Sequence, residues 1–98
     1  MRRALLIAAA LMLAGGPALA SPPSAAQKDE FTKVCVGISQ NVALCTCKAD
    51  AAMRLIDSDF MAVVIASMKG KDVPADLYDT YNDYIARSTE ACGMGSAM

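Results

Sequence analysis

Cys45-Thr46-Cys47 places two thiols one residue apart, and only two other cysteines, Cys35 and Cys92, occur in the chain of 98 residues. A disulfide between Cys45 and Cys47 would close a small strained ring that a helix cannot contain. We therefore expect each of the two to bond to a more distant cysteine. This short stretch would then be crosslinked both to the N-terminal part of the folded domain and to its last helix.

The pairing of the four cysteines follows from how the helices fold back on one another. Within a helix of about 100° per residue, Cys45 and Cys47 lie about 200° apart and face opposite sides. Four cysteines allow three connectivities. If the preceding helix folds back about Asn41, Cys35 comes to lie opposite Cys47, which leaves Cys45 for Cys92. We expect these two disulfides.

The start of the chain has the pattern of a secretory signal peptide. Two arginines precede the apolar run 4–13, and a small-residue cleavage pattern ends at Ala20. The run is shorter than the roughly 20 residues that a bilayer span needs. We expect cleavage between Ala20 and Ser21, by ordinary export rather than a twin-arginine route. Residues 21–98 would then form a single small helical domain in the periplasm or the extracellular space.

Hydrophobic spacing of three and four residues predicts an all-α bundle of three or four helices, stapled by two disulfides. Ser24 and Gln27 have the capping-box pattern before the first helix, and Gly70 suits a left-handed residue after the third. In the first helix, Phe31 and Ile38 belong to one apolar face. The helices are predicted over 25–40 and over 42–56, then to Lys69 after a cap at Asp57 or Ser58, and from Pro74 to Gly93.

The third predicted helix is apolar around most of its circumference, which favours a central position in the bundle. A methionine-rich apolar surface can also bind partner proteins. Exposed tyrosines on the last helix would extend such a surface. The candidate partner-binding residues are Phe60, Met61, Val64, Met68, Tyr78, Tyr81 and Tyr84.

The composition argues against several classes of function. The chain contains no histidine, which excludes Ser-His-Asp and Cys-His catalytic sites and histidine-containing metal sites. Nine basic residues stand against ten acidic ones, and no long basic cluster occurs, so nucleic acid and anionic membrane surfaces are not expected partners. We predict no enzyme activity, no cofactor and no metal site.

Two other chemistries remain open for Cys45 and Cys47. A strained disulfide between them would be labile and could exchange with other thiols. In reduced form, their thiolates with Met94 and Met98 would suit Cu(I). Redox motifs more often have a two-residue spacing at a helix N-terminus, so structural disulfides are the favoured interpretation.

In size, signal sequence and helical content the chain resembles small helical exported bacterial proteins that carry a few cysteines. The acid-stress periplasmic chaperones are one such group. Those chaperones have a single disulfide, which Cys45-Thr46-Cys47 does not match, and no residue role is carried over from them. We expect a non-catalytic protein-binding or accessory module, with a chaperone-like role as one form of it and another protein as its partner.

Overall fold

Residues 21–93 are described by a computed structural model, and they form four α-helices joined by short connections. The helices are α1 (Ala25–Ser39), α2 (Val42–Leu55), α3 (Ser58–Met68) and α4 (Tyr78–Ala91), with a 3-10 turn, Ala75–Leu77, before α4. This part of the chain contains no strand. The predicted all-α fold with two disulfides is confirmed. The predicted signal segment 1–20 and the tail 94–98 lie outside the described residues.

Side-chain caps fix where the first three helices begin. Ser24 Oγ accepts a hydrogen bond from the Gln27 N–H at 3.0 Å, and Gln27 Oε1 accepts one from the Ser24 N–H at 2.9 Å. Asn41 caps α2 and Asp57 caps α3 through their side-chain oxygens. These bonds satisfy N–H groups that a helix start leaves without partners. The predicted capping box is confirmed, and of the two residues expected to cap the third helix, Asp57 and Ser58, it is Asp57 that does so.

The last helix begins later than the sequence suggests. It was expected from Pro74, but α4 starts at Tyr78. The Leu77 N–H donates to the Pro74 carbonyl at 2.9 Å and closes a 3-10 turn instead. Leu77 has φ −110° and ψ 4°, outside the α-helical range. Leu77 is the N-cap residue of α4 and forms no side-chain cap hydrogen bond, so the start of this helix is set by the backbone and not by a capping side chain.

The core lies where the four helices meet. α1 packs against α2 and α3, and α2 also packs against α4. Ala49 and Ala52 of α2 are completely buried, and their short side chains allow the neighbouring helices to approach closely. The cluster of buried apolar residues consists of Phe31, Ala49, Ala52, Met61, Val64, Ile65 and Tyr84. Three of these come from α3, but α1 and α2 each pack closely against two helices whereas α3 packs closely only against α1, so the predicted central position of α3 is not confirmed.

The apolar face of α1 does not stay buried along its whole length. Phe31 is in the core, but Ile38 is 61% exposed, and Val42 at the start of α2 is 64% exposed. The core cluster contains no residue from 36–44. The hairpin end formed by α1 and α2 therefore extends past the core, and Ile38 and Val42 stay exposed there.

Both sulfurs of the central pair are bonded to distant cysteines. Cys45 pairs with Cys35 at a Cα–Cα distance of 5.6 Å, and Cys47 pairs with Cys92 at 5.9 Å. The prediction that the two thiols face different partners is confirmed. The predicted pairing, Cys35 with Cys47 and Cys45 with Cys92, is wrong.

The error in the pairing comes from the position of the turn. Gln40 adopts the left-handed conformation, with φ 55°, and ends α1. The centre of the hairpin is thus Gln40 rather than Asn41, and Cys35 and Cys45 are equally distant from it along the chain. Cys47 lies on the opposite side of α2, where α4 packs.

We predict that Met61→Ala lowers the free energy of unfolding by about 2–5 kcal/mol, because Met61 is fully buried and its truncation leaves a cavity. Ile38→Ala, at an exposed apolar position, should change it by about 0.5 kcal/mol or less. Urea denaturation of the oxidised proteins measures both values. Equal losses for the two variants would contradict the assignment of the core.

We predict that Cys92→Ser releases the thiol of Cys47 and leaves Cys45 bonded to Cys35. Iodoacetamide labelling in denaturant, followed by peptide mass spectrometry, identifies the released thiol without requiring the variant to be folded. The matched variant Cys35→Ser should release Cys45. Labelling of Cys45 in Cys92→Ser would instead support the pairing predicted from the sequence, Cys45 with Cys92.

Candidate functional site

The candidate partner-binding residues lie in three different environments. Three are buried in the core: Met61, Val64 and Tyr84. Three are half-buried and pack against that core: Phe60, Met68 and Tyr81. Tyr78 is 53% exposed. A partner that docks on the folded protein can thus reach Tyr78 and the outer edges of the half-buried side chains, whereas the buried ones stabilise the bundle.

A groove of about 410 Å³ lies at the junction of α2, α3 and the 3-10 turn that precedes α4. Its apolar lining consists of Leu55, Ile56, Phe60, Val63 and Leu77. Its polar lining consists of Asp57, Asp59 and Thr80. We call this feature the α2–α3–α4 groove. It includes Phe60, one of the predicted partner-binding residues, and several residues that were not predicted from the sequence.

Local structure holds the walls of the groove in place. Asp57 Oδ1 accepts the Phe60 N–H at 2.8 Å, which turns the chain sharply from α2 into α3. The ring of Phe60 lies 6.5 Å from the rings of both Tyr81 and Tyr84 of α4. Tilted aromatic contacts at this distance are favourable. Leu55, the last residue of α2, is left 36% exposed beside them.

The charge of the groove is negative. Asp57 is engaged as the helix cap. Asp59 is exposed, and it forms no ion pair with any of the residues 21–93. An apolar surface beside an unpaired carboxylate is complementary to an apolar side chain that has a basic neighbour.

A polar contact between α2 and α4 is a second feature that was not predicted from the sequence. Lys48 Nζ donates to Ser88 Oγ at 3.1 Å and to Thr89 Oγ1 at 2.9 Å. Ser88 is buried, and within the described part of the chain no carboxylate pairs with Lys48. Partial burial disfavours the charged ammonium and lowers the pKa of Lys48 below its usual value.

Tyr84, which lies near this contact, also has a shifted pKa. Burial raises the pKa of Tyr84 to about 12, because the phenolate would lose its hydration. A hydrogen bond with Ser88 acts in the opposite direction and is the smaller effect. The phenol therefore stays neutral over the physiological range. Its neighbour Tyr81 is held by a hydrogen bond of 2.9 Å between its hydroxyl and that of Ser67.

The cysteines are all oxidised in this structure. Cys45 and Cys47 are bonded to different helices, so the disulfide between them that thiol exchange would use is not formed. The thiolates that Cu(I) would need are likewise engaged as disulfides, and Met94 and Met98 lie outside the described residues. Residues 21–93 contain no cluster of three or more metal-ligating His, Cys, Asp or Glu side chains.

Comparison with known proteins adds no assignment. No protein-family model matches this chain, and no curated protein or solved structure is significantly similar to it. Every helix in the described range is too short or too polar to cross a bilayer. Two disulfides indicate an oxidising environment.

We predict that the stability of the folded protein falls between about pH 10 and about pH 12 through Tyr84. In this range the phenol keeps its proton in the folded state but loses it in the unfolded state, so deprotonation favours unfolding. The loss should be on the order of 2 kcal/mol. Urea denaturation across this range measures it.

Tyr84→Phe should remove most of this decline, because the variant has no phenol at that position. Tyr78→Phe is the matched control: it removes an exposed tyrosine and should leave the decline as it is in the unmodified protein. The titration of Lys48 is common to all three proteins and cancels in the comparison. The same decline in all three would show that Tyr84 is not its cause.

Proposed function

We propose that this protein is a non-catalytic binding module that holds a segment of another protein in the α2–α3–α4 groove. It acts in an exported compartment, the periplasm or the extracellular space, after cleavage between Ala20 and Ser21. The observation that carries the proposal is the groove itself, an apolar cleft of about 410 Å³ at the surface of a very small bundle.

The size and lining of the groove support a peptide-like occupant. Binding clefts are mostly apolar, with a few polar groups that set orientation, and commonly measure about 300–1,000 Å³. Phe60, Val63 and Leu77 supply an apolar surface for one or two side chains of a partner. The unpaired carboxylate of Asp59 would attract a basic residue next to them.

The proposed compartment is supported by two independent features. The first residues have the pattern of a signal peptide. Disulfides form and persist in exported proteins and are rare in reducing compartments. Both features agree with a protein that folds after export.

The binding could take one of two forms, which differ in what they require of the surface. A chaperone-like protein would expose more apolar surface at low pH, as its acidic side chains are neutralised, and would bind many unfolded chains. A structural subunit would form a stable complex of fixed stoichiometry at neutral pH. Binding of a hydrophobic dye at neutral and acidic pH separates the two.

We predict that a photo-crosslinker placed at Thr80, which is exposed and lines the groove, forms adducts in the exported fraction, of one mass for a structural subunit and of many masses for a chaperone-like protein. The same crosslinker at Thr46 should form none, because Thr46 is exposed on α2 but does not line the groove. Denaturing electrophoresis and mass spectrometry detect the adduct.

A charge substitution tests whether the adduct depends on the groove. Leu55→Asp puts a carboxylate against the apolar segment of the partner and should reduce the yield of the Thr80 adduct at least tenfold. Ile38→Asp introduces the same charge at an exposed apolar residue near the end of α1, which does not line the groove, and it should not reduce the yield. Adducts of equal yield from Thr80 and Thr46, or insensitivity to Leu55→Asp, would refute the proposal.

A further inference from the structure

A second cavity, distinct from the groove, lies between all four helices and measures about 150 Å³. Phe31 of α1, Leu44 of α2, Met68 of α3 and Ile85 of α4 each contribute an apolar side chain to its wall. Ile85 is 39% exposed, so the cavity reaches the surface. Lys48 also lines it, and we call it the Lys48 cavity.

The volume and the apolar wall define what can fill the cavity. An apolar cavity of about 150 Å³ takes up a molecule of the size of benzene, with about six carbon atoms. A bulkier body would have to push apart side chains that are packed in the core, which costs free energy, and a longer one would leave its far end in water at the open side. The body of a suitable ligand is therefore small and either aliphatic or aromatic.

The charge of the lining defines the other end of the ligand. Lys48 carries the only formal charge among the residues that line the cavity, and none of them is a carboxylate. The ammonium has three N–H groups, and two of them bond to Ser88 and Thr89. The third makes no hydrogen bond to residues 21–93, and the charge has no partner of opposite sign there.

We propose that the Lys48 cavity binds a small monocarboxylate with a body of about six carbons, whose carboxylate pairs with Lys48 and whose body fills the apolar cavity. A cation would be repelled by the ammonium. A dicarboxylate would bury a second charge without a partner, which is costly. Bridging α2 and α4 accounts for the two hydroxyl contacts of Lys48, but two neutral hydroxyls leave its positive charge without a carboxylate within residues 21–93.

Methyl-detected NMR of the oxidised wild-type protein tests the proposal with hexanoate, 1-hexanol and hexylamine. Hexanoate should shift the methyl signals of Leu44, Ile85 and Met68 in a saturable way. The alcohol should bind at least tenfold more weakly because it cannot form the ion pair. The amine should not bind. Absence of a saturable shift with hexanoate, or equal affinities for the acid and the alcohol, would overturn the proposal.

A substitution at Lys48 gives a second test. Lys48→Met keeps most of the apolar side chain and removes the charge, and it should weaken hexanoate binding at least tenfold without changing the affinity for 1-hexanol. Lys33→Met is the matched control, since Lys33 is exposed on α1 and does not line the cavity. It should leave both affinities unchanged, and an equal effect of the two substitutions on hexanoate would count against the site.

A third measurement uses only the wild-type protein and so does not depend on whether a variant folds. Bound hexanoate should raise the pKa of Lys48, because the nearby carboxylate favours the charged ammonium. The pH titration of the Lys48 side-chain carbon signals reports this directly. An unchanged titration at saturating hexanoate would show that the acid does not pair with Lys48.

Discussion

Two disulfides connect α2 to its neighbours on opposite sides. Cys45 bonds to Cys35 of α1, and Cys47 bonds to Cys92 at the end of α4. A chain of this size can bury only a limited core, and small domains commonly depend on such crosslinks. The loops closed by the two bonds span 10 and 45 residues. In the chain-entropy model they contribute about 3 and about 4 kcal/mol, which is comparable to the total stability of a small domain. The arrangement of the other helices depends on this attachment.

α3 is the helix that no disulfide reaches in the described structure. It is held by the burial of three apolar residues and by hydrogen bonds between Gln27 and Ser58. Both candidate binding features border it: Phe60 and Val63 line the groove, and Met68 lines the cavity. A helix held by noncovalent contacts alone can shift at a lower cost than one tied by a covalent bond. The two features thus lie along the side of the bundle best able to adjust to an occupant.

The parts of the fold that depend on neighbouring residues could be predicted from the sequence. The capping box at Ser24, the cap at Asp57 and the left-handed conformation of Gly70, with φ 98°, are all confirmed, because each is determined within a few residues. The disulfide pairing depends on where two helices meet, and a shift of one residue in the turn, to Gln40, reversed it. The late start of α4 depended on a backbone conformation at Leu77 that no side chain signals.

The candidate site was harder to predict, because its residues come together only in the folded chain. Periodicity shows that a residue such as Met61 is on an apolar face, but it does not distinguish a core residue from a partner surface, and burial decides this. Lys48 has no motif around it. Its position follows from the disulfide: it is the residue after Cys47, and Thr89 lies one helical turn before Cys92. The bond that staples α2 to α4 thereby brings the ammonium against the two hydroxyls. The same crosslink that stabilises the fold thus holds a charged group beside the apolar cavity.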